Sequence, residues 1–220
     1  MAAVTLYHFP YSAPSRGALL AARAVGVPVE IKEINLFEGK QLEPDFIKIN
    51  PQHTIPTLKD DDFVLWDSHA IASYLVTAYG KDDKLYPRNP QQKAIVDQRL
   101  YFDVGILYRR VREIFFPVVR LGEKTVGEEK KKSMEEALGW MDQFLTGRPW
   151  LAGTEFTIAD CCCAASISTL VEMGYDISSH RKTSEWYEKC KTELPGFDEN
   201  LEGAKILGDA FKQKVDPGQI

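Results

Sequence analysis

Ile55-Pro56-Thr57-Leu58 and, after one more short apolar run, Asp67-Ser68-His69-Ala70-Ile71 carry most of the information about the fold. The proline opens a short strand, a second strand follows, and a helix then begins at an acidic residue followed by a hydroxyl, a pairing that caps helices. The main chain before such a strand can pair with an extended peptide. The start of the helix can hold the charged head group of an amino acid.

The elements before and within this stretch follow the order of a thioredoxin-like domain. Strands alternate with helices, and the first helix is rich in alanine and leucine and is followed by a glycine. We predict strands at Thr5–Phe9, Val29–Asn35, Ile55–Lys59 and Phe63–Trp66, helices at Ser15–Val25 and Ser68–Tyr79, and a short helical piece within Phe37–Asn50. The sequence therefore predicts an N-terminal α/β domain of thioredoxin-like type, βαβαββα, over residues 1–81.

Beyond residue 81 the sequence predicts only helices. Residues 82–90 are charged and contain two prolines, which is typical of a linker. Helices are predicted at Gln91–Leu121, Glu128–Phe144, Asp160–Met173, Thr183–Glu193 and Leu201–Gln213. The third is largely apolar and follows the capping-box pattern Thr157-Ile158-Ala159-Asp160, so we predict that it forms the buried centre of a C-terminal helical bundle domain over residues 91–220.

Composition argues against several classes of function. The formal charge is -5 and the basic residues are scattered, so we expect no nucleic-acid partner. No apolar run approaches the ~18 residues of a membrane helix, and Met1–Pro10 lacks the pattern of a signal peptide. Four cysteines, three of them consecutive, do not indicate a disulfide framework. These features predict a soluble, cytoplasmic protein with no membrane partner.

Ser12 is the first candidate for chemistry, because it follows the first strand where a helix starts. A hydroxyl there, beside unpaired main-chain N–H groups, can donate to a bound thiolate and lower the pKa of the thiol. The alternatives are an ordinary N-cap serine and Ser15 in the same role. The segment Ser12–Ser15 stands where a thioredoxin-type fold carries Cys-x-x-Cys, so disulfide exchange there is excluded. Beside a peptide-binding strand, this hydroxyl indicates a small thiol peptide, glutathione.

The Ile55–Pro56 bond has two interpretations. A trans proline that opens a strand is the common case in folded proteins. A cis bond instead leaves the main chain of Ile55 exposed, so that it can pair with a bound peptide as a short added strand.

The charged and polar residues around this turn also have two interpretations each. Asp67 and Ser68 either only cap the helix or also hold the ammonium and carboxylate groups of a γ-glutamyl residue. His53 either donates to a glycine carboxylate or is only solvated. His69 faces the same choice, and in the first turn of a helix its ring can also simply pack.

The run Cys161-Cys162-Cys163 does not predict a metal site. Consecutive helical residues point about 100° apart and cannot share one tetrahedral ion, so we predict three small buried side chains and no metal. Cys190 lies on a charged helix, and we expect an exposed and reactive thiol.

One face of the first long helix carries a stripe that suits a pocket wall. Its members are Tyr108, Val111, Arg112, Phe115 and Val119. Core packing is the alternative, but an arginine within the stripe favours partial access to solvent. Leu207 and Phe211 near the C-terminus could close the pocket from above.

Together these motifs are similar to those of cytosolic glutathione S-transferases, and more narrowly to the insect epsilon class of the delta/epsilon group. The resemblance covers essentially the whole chain. It rests on Tyr11-Ser12-Ala13-Pro14, Asn50–Leu58, Asp67–Ile71, Leu85-Tyr86-Pro87 and Thr157–Asp160. It implies an enzyme of detoxification and xenobiotic metabolism that conjugates glutathione, as co-substrate, to small hydrophobic electrophiles such as aryl halides, unsaturated aldehydes or peroxides. It also implies a homodimer and no permanently bound cofactor.

The resemblance implies a role for each site residue. Ser12 would stabilise the glutathione thiolate, and Ile55 would pair its main chain with the cysteinyl residue. The glutathione-binding residues would be His53, Thr54, Ile55, Asp67, Ser68 and His69. The electrophile would lie against Tyr108, Val111, Arg112, Phe115, Val119, Leu207 and Phe211. Gln41 departs from the histidine of some epsilon members, and Asp67 from the glutamate of many relatives.

Two other functions compete with this one. A catalytically idle glutathione-transferase-like module would serve as a carrier or in assembly, but it has no need to keep Ser12, His53 and the Asp67–Ser68 pair together. A thiol oxidoreductase of the omega type should have cysteine at position 12, and this chain has serine.

Overall fold

The computed structural model describes residues 4–220, so Met1–Ala3, the start of the predicted N-terminal domain, lie outside it. The first elements are β1 Val4–His8, α1 Ala13–Val25, β2 Val29–Glu33, a 3₁₀ turn Lys40–Leu42, α2 Pro44–Ile49, β3 Thr57–Asp60, β4 Phe63–Trp66 and α3 Ser68–Tyr79. This order confirms the predicted thioredoxin-like arrangement.

The four strands form one sheet in the order β2-β1-β3-β4. β1 and β2 are parallel, whereas β3 is antiparallel to both β1 and β4. Tyr7 near the end of β1 lies opposite Thr57 at the start of β3, and Thr57 lies opposite Trp66 at the end of β4. The chain after β1, before β3 and after β4 therefore meets at one end of the sheet. The loop after β2 leaves at the same end, since His8 pairs with Glu33.

Helix α1 begins two residues earlier than predicted, at Ala13. Ser12 is its N-cap, and Pro14 stands in the first turn, where a missing N–H removes no helical hydrogen bond. Gly26 ends the helix as predicted, in a left-handed conformation with φ 79°.

The rest of the chain is helical, which confirms the predicted all-α second domain. The helices are α4 Pro90–Phe102, α5 Tyr108–Leu121, α6 Glu128–Phe144, α7 Ile158–Glu172, α8 Arg181–Glu193 and α9 Phe197–Lys212. The prediction of one continuous helix over Gln91–Leu121 is wrong, because a π-helical turn at Asp103–Leu107 separates α4 from α5. The Asp103 carboxylate accepts a hydrogen bond from Ser166 Oγ (2.7 Å) and lies 2.9 Å from His69 Nε2, so polar contacts hold the wide turn.

Helix α7 is the buried centre of the second domain, as predicted. Its residues from Ile158 to Leu170 are buried, including the three consecutive cysteines. Its start is fixed by the Asp160 carboxylate, which accepts the N–H groups of Thr157 (2.9 Å), Leu151 (3.0 Å) and the Trp186 indole (2.9 Å). The predicted capping box is therefore confirmed.

Cys190 is buried, so the expectation of an exposed and reactive thiol is wrong. Helix α8 turns Trp186, Tyr187 and Cys190 into the core and leaves its charged residues outside. Burial raises the pKa of the Cys190 thiol, which keeps it protonated and unreactive.

Arg16 joins the two domains just below the end of β1. Its guanidinium, 1% exposed, donates to Asn200 Oδ1 (3.0 Å), to the Ala165 carbonyl (3.2 Å) and to the Pro10 carbonyl (2.8 Å). Gly203 of α9 lies against the same carbonyl, where a Cβ would come within 2.5 Å of it. The turn that leads into α1 is therefore fixed by the second domain.

Candidate active site

Ser12 lies at the N-terminus of α1 and lines a cavity. Its Oγ accepts the N–H of Ser15 at 3.3 Å, a long hydrogen bond. Among residues 4–220 no acceptor takes its hydroxyl hydrogen. The hydroxyl is half-buried beside the positive end of a helix, so it can donate to an anion in the cavity.

Ser15, the alternative to Ser12, is fully buried and does not line the cavity. Its Oγ accepts the N–H of Phe9 (3.3 Å) and lies 3.0 Å from His8 Nδ1. Burial, helped by the nearby Arg16 guanidinium, lowers the pKa of His8 to about 4, so this imidazole is neutral at pH 7. Ser15 and His8 therefore support the helix start from inside.

The Ile55–Pro56 peptide bond is cis, the second of the two interpretations. β3 begins only at Thr57. The main-chain groups of Ile55 form no turn, loop or ladder hydrogen bond within residues 4–220. These groups are available to an extended peptide that runs beside the loop.

Asn50, which the sequence analysis does not single out, holds this loop in shape. Its side chain is fully buried, and Nδ2 donates to the Thr54 carbonyl (3.0 Å) and to Thr57 Oγ1 (2.9 Å). His53 and Thr54 are exposed at the tip, and His53 adopts a left-handed conformation with φ 45°. An asparagine directly before Pro51 favours a turn, and this signal could have identified it.

Helix α3 begins at Ser68, as predicted, with Asp67 as its N-cap. Asp67 Oδ1 accepts the N–H groups of His69 (2.9 Å) and Ala70 (3.0 Å). Its second oxygen has no partner among the described residues and, with the side chain about half exposed, can meet a cation. The His69 side chain, whose Nδ1 lies 3.7 Å from Asp67 Oδ1, is the main cause that lowers the pKa of Asp67. Ser68 is buried beneath it, with Oγ 3.3 Å from His69 Nδ1.

The structure places the His69 ring against the second domain, with Nε2 2.9 Å from Asp103 Oδ2. Burial opposes its protonation, but the hydrogen bonds and charges of Asp103 and Asp67 outweigh this and raise the pKa of His69 to about 9. The imidazolium therefore connects the start of α3 to the π-helical turn before α5.

A cavity of about 250 Å³ lies between Ser12 and helix α5. Of the residues predicted for the electrophile pocket, those that line it are Tyr108, Arg112, Phe115, Val119 and Leu207. Val111 and Phe211 do not line it, since both are fully buried. The core face of α5 runs through Val111, Ile114 and Val118. The predicted stripe therefore combines residues that line the cavity with residues that face the protein core.

Other residues that line this cavity were not predicted from the sequence to do so. They are Phe9, Tyr11, Leu36, Phe37, Gln41, Phe116 and Arg120. Phe9, Tyr11 and Phe37 form an aromatic cluster, with ring centroids 4.8 Å to 5.5 Å apart. Phe37 follows β2, and the strand order of the predicted domain was the signal that could have placed it beside Ser12.

Gln41 lines the same cavity, although it departs from the histidine that some epsilon-class members carry at this position. Its Oε1 atom is buried and has no hydrogen-bond partner within the described residues. A buried amide oxygen without a partner is costly, so this atom is suited to accept an N–H from a bound peptide.

Two features are absent from the described part of the chain. Residues 4–220 contain no group of three or more His, Cys, Asp or Glu side chains placed to hold a metal ion. Within the same residues, every helix is too short or too polar to cross a membrane.

Comparison with known families places this site in context. Residues 2–77 match the model of the glutathione S-transferase N-terminal domain, and residues 107–193 match that of the C-terminal domain. Glutathione S-transferase D7 of Anopheles gambiae is 44% identical over 96% of this chain and 97% of its own length. The structure of glutathione S-transferase unclassified 2 from Bombyx mori superposes with a TM-score of 0.94, at 47% identity, covering 98% of this chain and 100% of that one.

The comparisons also bear on the class. A delta-class transferase structure from Nilaparvata lugens is 46% identical, with a TM-score of 0.92, over 96% of this chain and 99% of that one. An epsilon-class structure from the housefly Musca domestica is 38% identical, with a TM-score of 0.91, over 96% and 98%. The predicted delta/epsilon group is confirmed, with the higher of these two identities on the delta side.

The site geometry and these relatives lead to the same conclusion, and the predicted enzyme class is confirmed. The chain belongs to the glutathione S-transferase family, whose members are enzymes that transfer glutathione.

Proposed function

We propose that this enzyme conjugates glutathione to small hydrophobic electrophiles, with the Ser12 hydroxyl as the group that stabilises the thiolate. The observation that carries the proposal is the position of Ser12. Its hydroxyl hydrogen has no acceptor among the described residues, and it lies at a helix N-terminus facing an aromatic cavity. A free thiol has a pKa of about 8.5, and a hydrogen bond together with the helix terminus lowers it toward neutrality.

Glutathione would lie along the end of the sheet where the loops meet. Ile55 offers its main chain to the cysteinyl residue, and the exposed His53 and Thr54 lie where the glycyl end would be held. The free oxygen of Asp67 would hold the γ-glutamyl ammonium, while the start of α3 at Ser68 faces the carboxylate. His69 is a positioning residue: its ring contacts Asp103 and so holds this helix start in place.

The electrophile would occupy the cavity beside α5. Aromatic rings line both sides of it, which suits an apolar or aromatic compound. Burial raises the pKa of Tyr108 to about 12, although Arg112 opposes this shift. The phenol is therefore neutral and can donate a hydrogen bond to an oxygen of the reacting compound. The thiolate then forms the S–C bond, either displacing a halide or adding to an activated double bond.

A homodimer is the second part of the proposal. Phe63 on β4 (47% exposed), Tyr101 on α4 (72%) and Val104 beside it (42%) are large apolar side chains on the surface. The first belongs to the N-terminal part and the others to the helical part, as expected if each subunit's first domain covers its partner's second. Sedimentation of the protein and of Tyr101→Glu tests this, with a shift toward monomer expected in the variant.

We also propose that the enzyme acts in the cytosol, in the detoxification of foreign compounds. Its four cysteines are free and buried, as suits a reducing compartment. Cell fractionation with an antibody to the protein tests this location, and recovery mainly with secretory vesicles would contradict it.

The test of the proposed reaction compares wild type with Ser12→Ala. We expect wild type to bind immobilised glutathione and to conjugate 1-chloro-2,4-dinitrobenzene. Ser12→Ala should also bind, but with kcat lower by about a hundredfold, the effect of removing one donor to a developing or stabilised anion. Glutathione binding without conjugation by wild type would instead identify an idle carrier.

A further inference from the structure

Two arginines on α5 line the electrophile cavity, and neither has an acidic partner within the described part of the chain. Arg112 and Arg120 stand eight positions apart, about 12 Å along the helix, and both line the cavity. The arginines with a carboxylate within 4.0 Å are Arg23, Arg109, Arg110 and Arg181. Within residues 4–220, neither cavity arginine has such a neighbour.

Each guanidinium is held in place by an aromatic ring instead. Arg112 lies over Phe116 at 4.1 Å from the ring centroid, and Arg120 lies over Phe37 at 5.1 Å. Stacking of this kind leaves the N–H edge of the guanidinium free for a planar anion such as a carboxylate. The two arginines are therefore preorganised cationic groups on the wall of an apolar cavity.

The charge of this region is opposite to that of the whole chain. The chain has 32 acidic and 27 basic residues, yet among the described residues no acidic side chain lines the cavity. A second, more open cavity of about 460 Å³ shares Tyr11, Phe37, Val119 and Arg120 with the first. It adds Lys214, whose Nζ donates to the Val119 carbonyl at 2.8 Å, and none of the lining residues in the described part of the chain is acidic. The apolar cavity thus opens into a cationic one at Arg120.

We propose that the electrophile site selects compounds that carry an anionic group, such as a carboxylate, beside an apolar body. The body lies among the aromatic rings near Ser12, and the carboxylate binds Arg120, with Arg112 as the second cation. This inference rests on the proposed function and specifies its substrate class.

A matched pair of electrophiles isolates the carboxylate. Ethacrynic acid and its methyl ester share the same enone and differ in one negative charge. In both, the thiolate adds to the terminal carbon of the activated double bond and forms a C–S bond. The displaced electron pair gives an enolate, which takes up a proton in place of the one that the thiol released, so no leaving group or oxidant is needed.

The quantity to measure is the ratio of kcat/KM for the acid to kcat/KM for the ester. We expect this ratio to fall about fivefold in Arg120→Gln and about tenfold or more in the double variant with Arg112→Gln, as for partly exposed charge pairs. Arg120→Lys should keep part of the preference. Arg109→Gln is the control: it removes one positive charge from the same helix, but Arg109 is 71% exposed, pairs with Glu113 and does not line the cavity.

Four results would overturn the inference. A ratio unchanged in the cavity variants, or lowered equally in Arg109→Gln, would show that the carboxylate does not meet these arginines. If the cavity variants instead raised the KM for glutathione equally with both electrophiles, the arginines would bind glutathione and not the electrophile. Failure of wild type to convert either compound would overturn this inference alone if the protein still conjugates 1-chloro-2,4-dinitrobenzene. If it conjugates neither that compound nor the pair, the proposed function falls as well.

Discussion

The two helix starts that would face glutathione in the proposed site are built differently. At α1, Ser12 caps the helix with one long hydrogen bond of 3.3 Å, and no acceptor within residues 4–220 takes its hydroxyl hydrogen. At α3, Asp67 accepts two N–H groups at 2.9 Å and 3.0 Å with a single oxygen. A weak neutral cap suits the role proposed for Ser12, which is to donate to a thiolate. A strong charged cap suits the role proposed for Asp67, which is to hold an ammonium and keep its helix start rigid.

The histidines beside these two helix starts also differ in charge, one being neutral and the other protonated. His8 behind α1 has a pKa lowered to about 4, first by burial, and stays neutral. His69 in the first turn of α3 has a pKa raised to about 9, because Asp103 and Asp67 outweigh the effect of burial. Of these two helix starts, only that of α3 should therefore depend on the protonation of its histidine as pH rises above neutrality.

The largest expected effect is the dependence of stability on pH through His69. Its pKa in the folded state, about 9, lies above the ordinary value of 6.5, so its contribution is complete below pH 6.5 and is lost as pH rises through 9. We expect the free energy of unfolding to fall by about 2 kcal/mol between pH 7 and pH 9 from this group. Urea unfolding at several pH values measures it.

His69→Gln should flatten this part of the pH profile. His53→Gln replaces an exposed histidine and should leave the profile as in wild type. If the free energy of unfolding fell equally with pH in wild type and in His69→Gln, the ion pair between His69 and Asp103 would not stabilise the folded protein.

The next effect separates the two roles of Asp67. Asn caps helices about as well as Asp but carries no charge. We therefore expect Asp67→Asn to keep the helix cap and to lose only the part of the His69 stabilisation that comes from the Asp67 charge. The KM for glutathione should rise about tenfold, because the ammonium loses its charged partner. Asp67→Ala should raise KM similarly and also lose about 1 kcal/mol of stability. An unchanged KM in Asp67→Asn would remove Asp67 from the glutathione site.

The smallest expected effect is on the stability of α1. The hydrogen bond from Ser15 N–H to Ser12 is long, so Ser12→Ala should cost only about 0.5 kcal/mol, the low end for an N-cap. Thermal unfolding followed by circular dichroism measures this loss beside that of Asp67→Ala. A larger loss in Ser12→Ala would mean that Ser12 serves mainly as a cap.

Local sequence signals predicted the elements well where caps and breakers are strong. Ser68–Tyr79 and Glu128–Phe144 lie where they were predicted, since an acidic start and a clear stop define the first and a charged, periodic pattern the second. The break at Asp103–Leu107 could not be predicted, because it depends on contacts with His69, 34 positions away, and with Ser166. Contacts this distant leave no local pattern.

The candidate site likewise contains residues that local sequence signals identify and residues that only packing places. Ser12 and Asp67 stand at helix starts that capping rules identify, so the sequence was enough to find them. Periodicity selected one stripe on α5, but only packing shows that Val111 faces the core while Arg120 reaches the cavity. Position on a helix face is set by the neighbouring helices, and one sequence does not contain their arrangement.

The most direct test of the account is the pKa of the glutathione thiol when bound. Ultraviolet absorbance of the thiolate is followed against pH for wild type and for Ser12→Ala, both saturated with glutathione. We expect a pKa well below the ordinary value in wild type and one near about 8.5 in the variant, with binding retained. Coincident titration curves would contradict the account, because the thiolate would then owe nothing to the Ser12 hydroxyl.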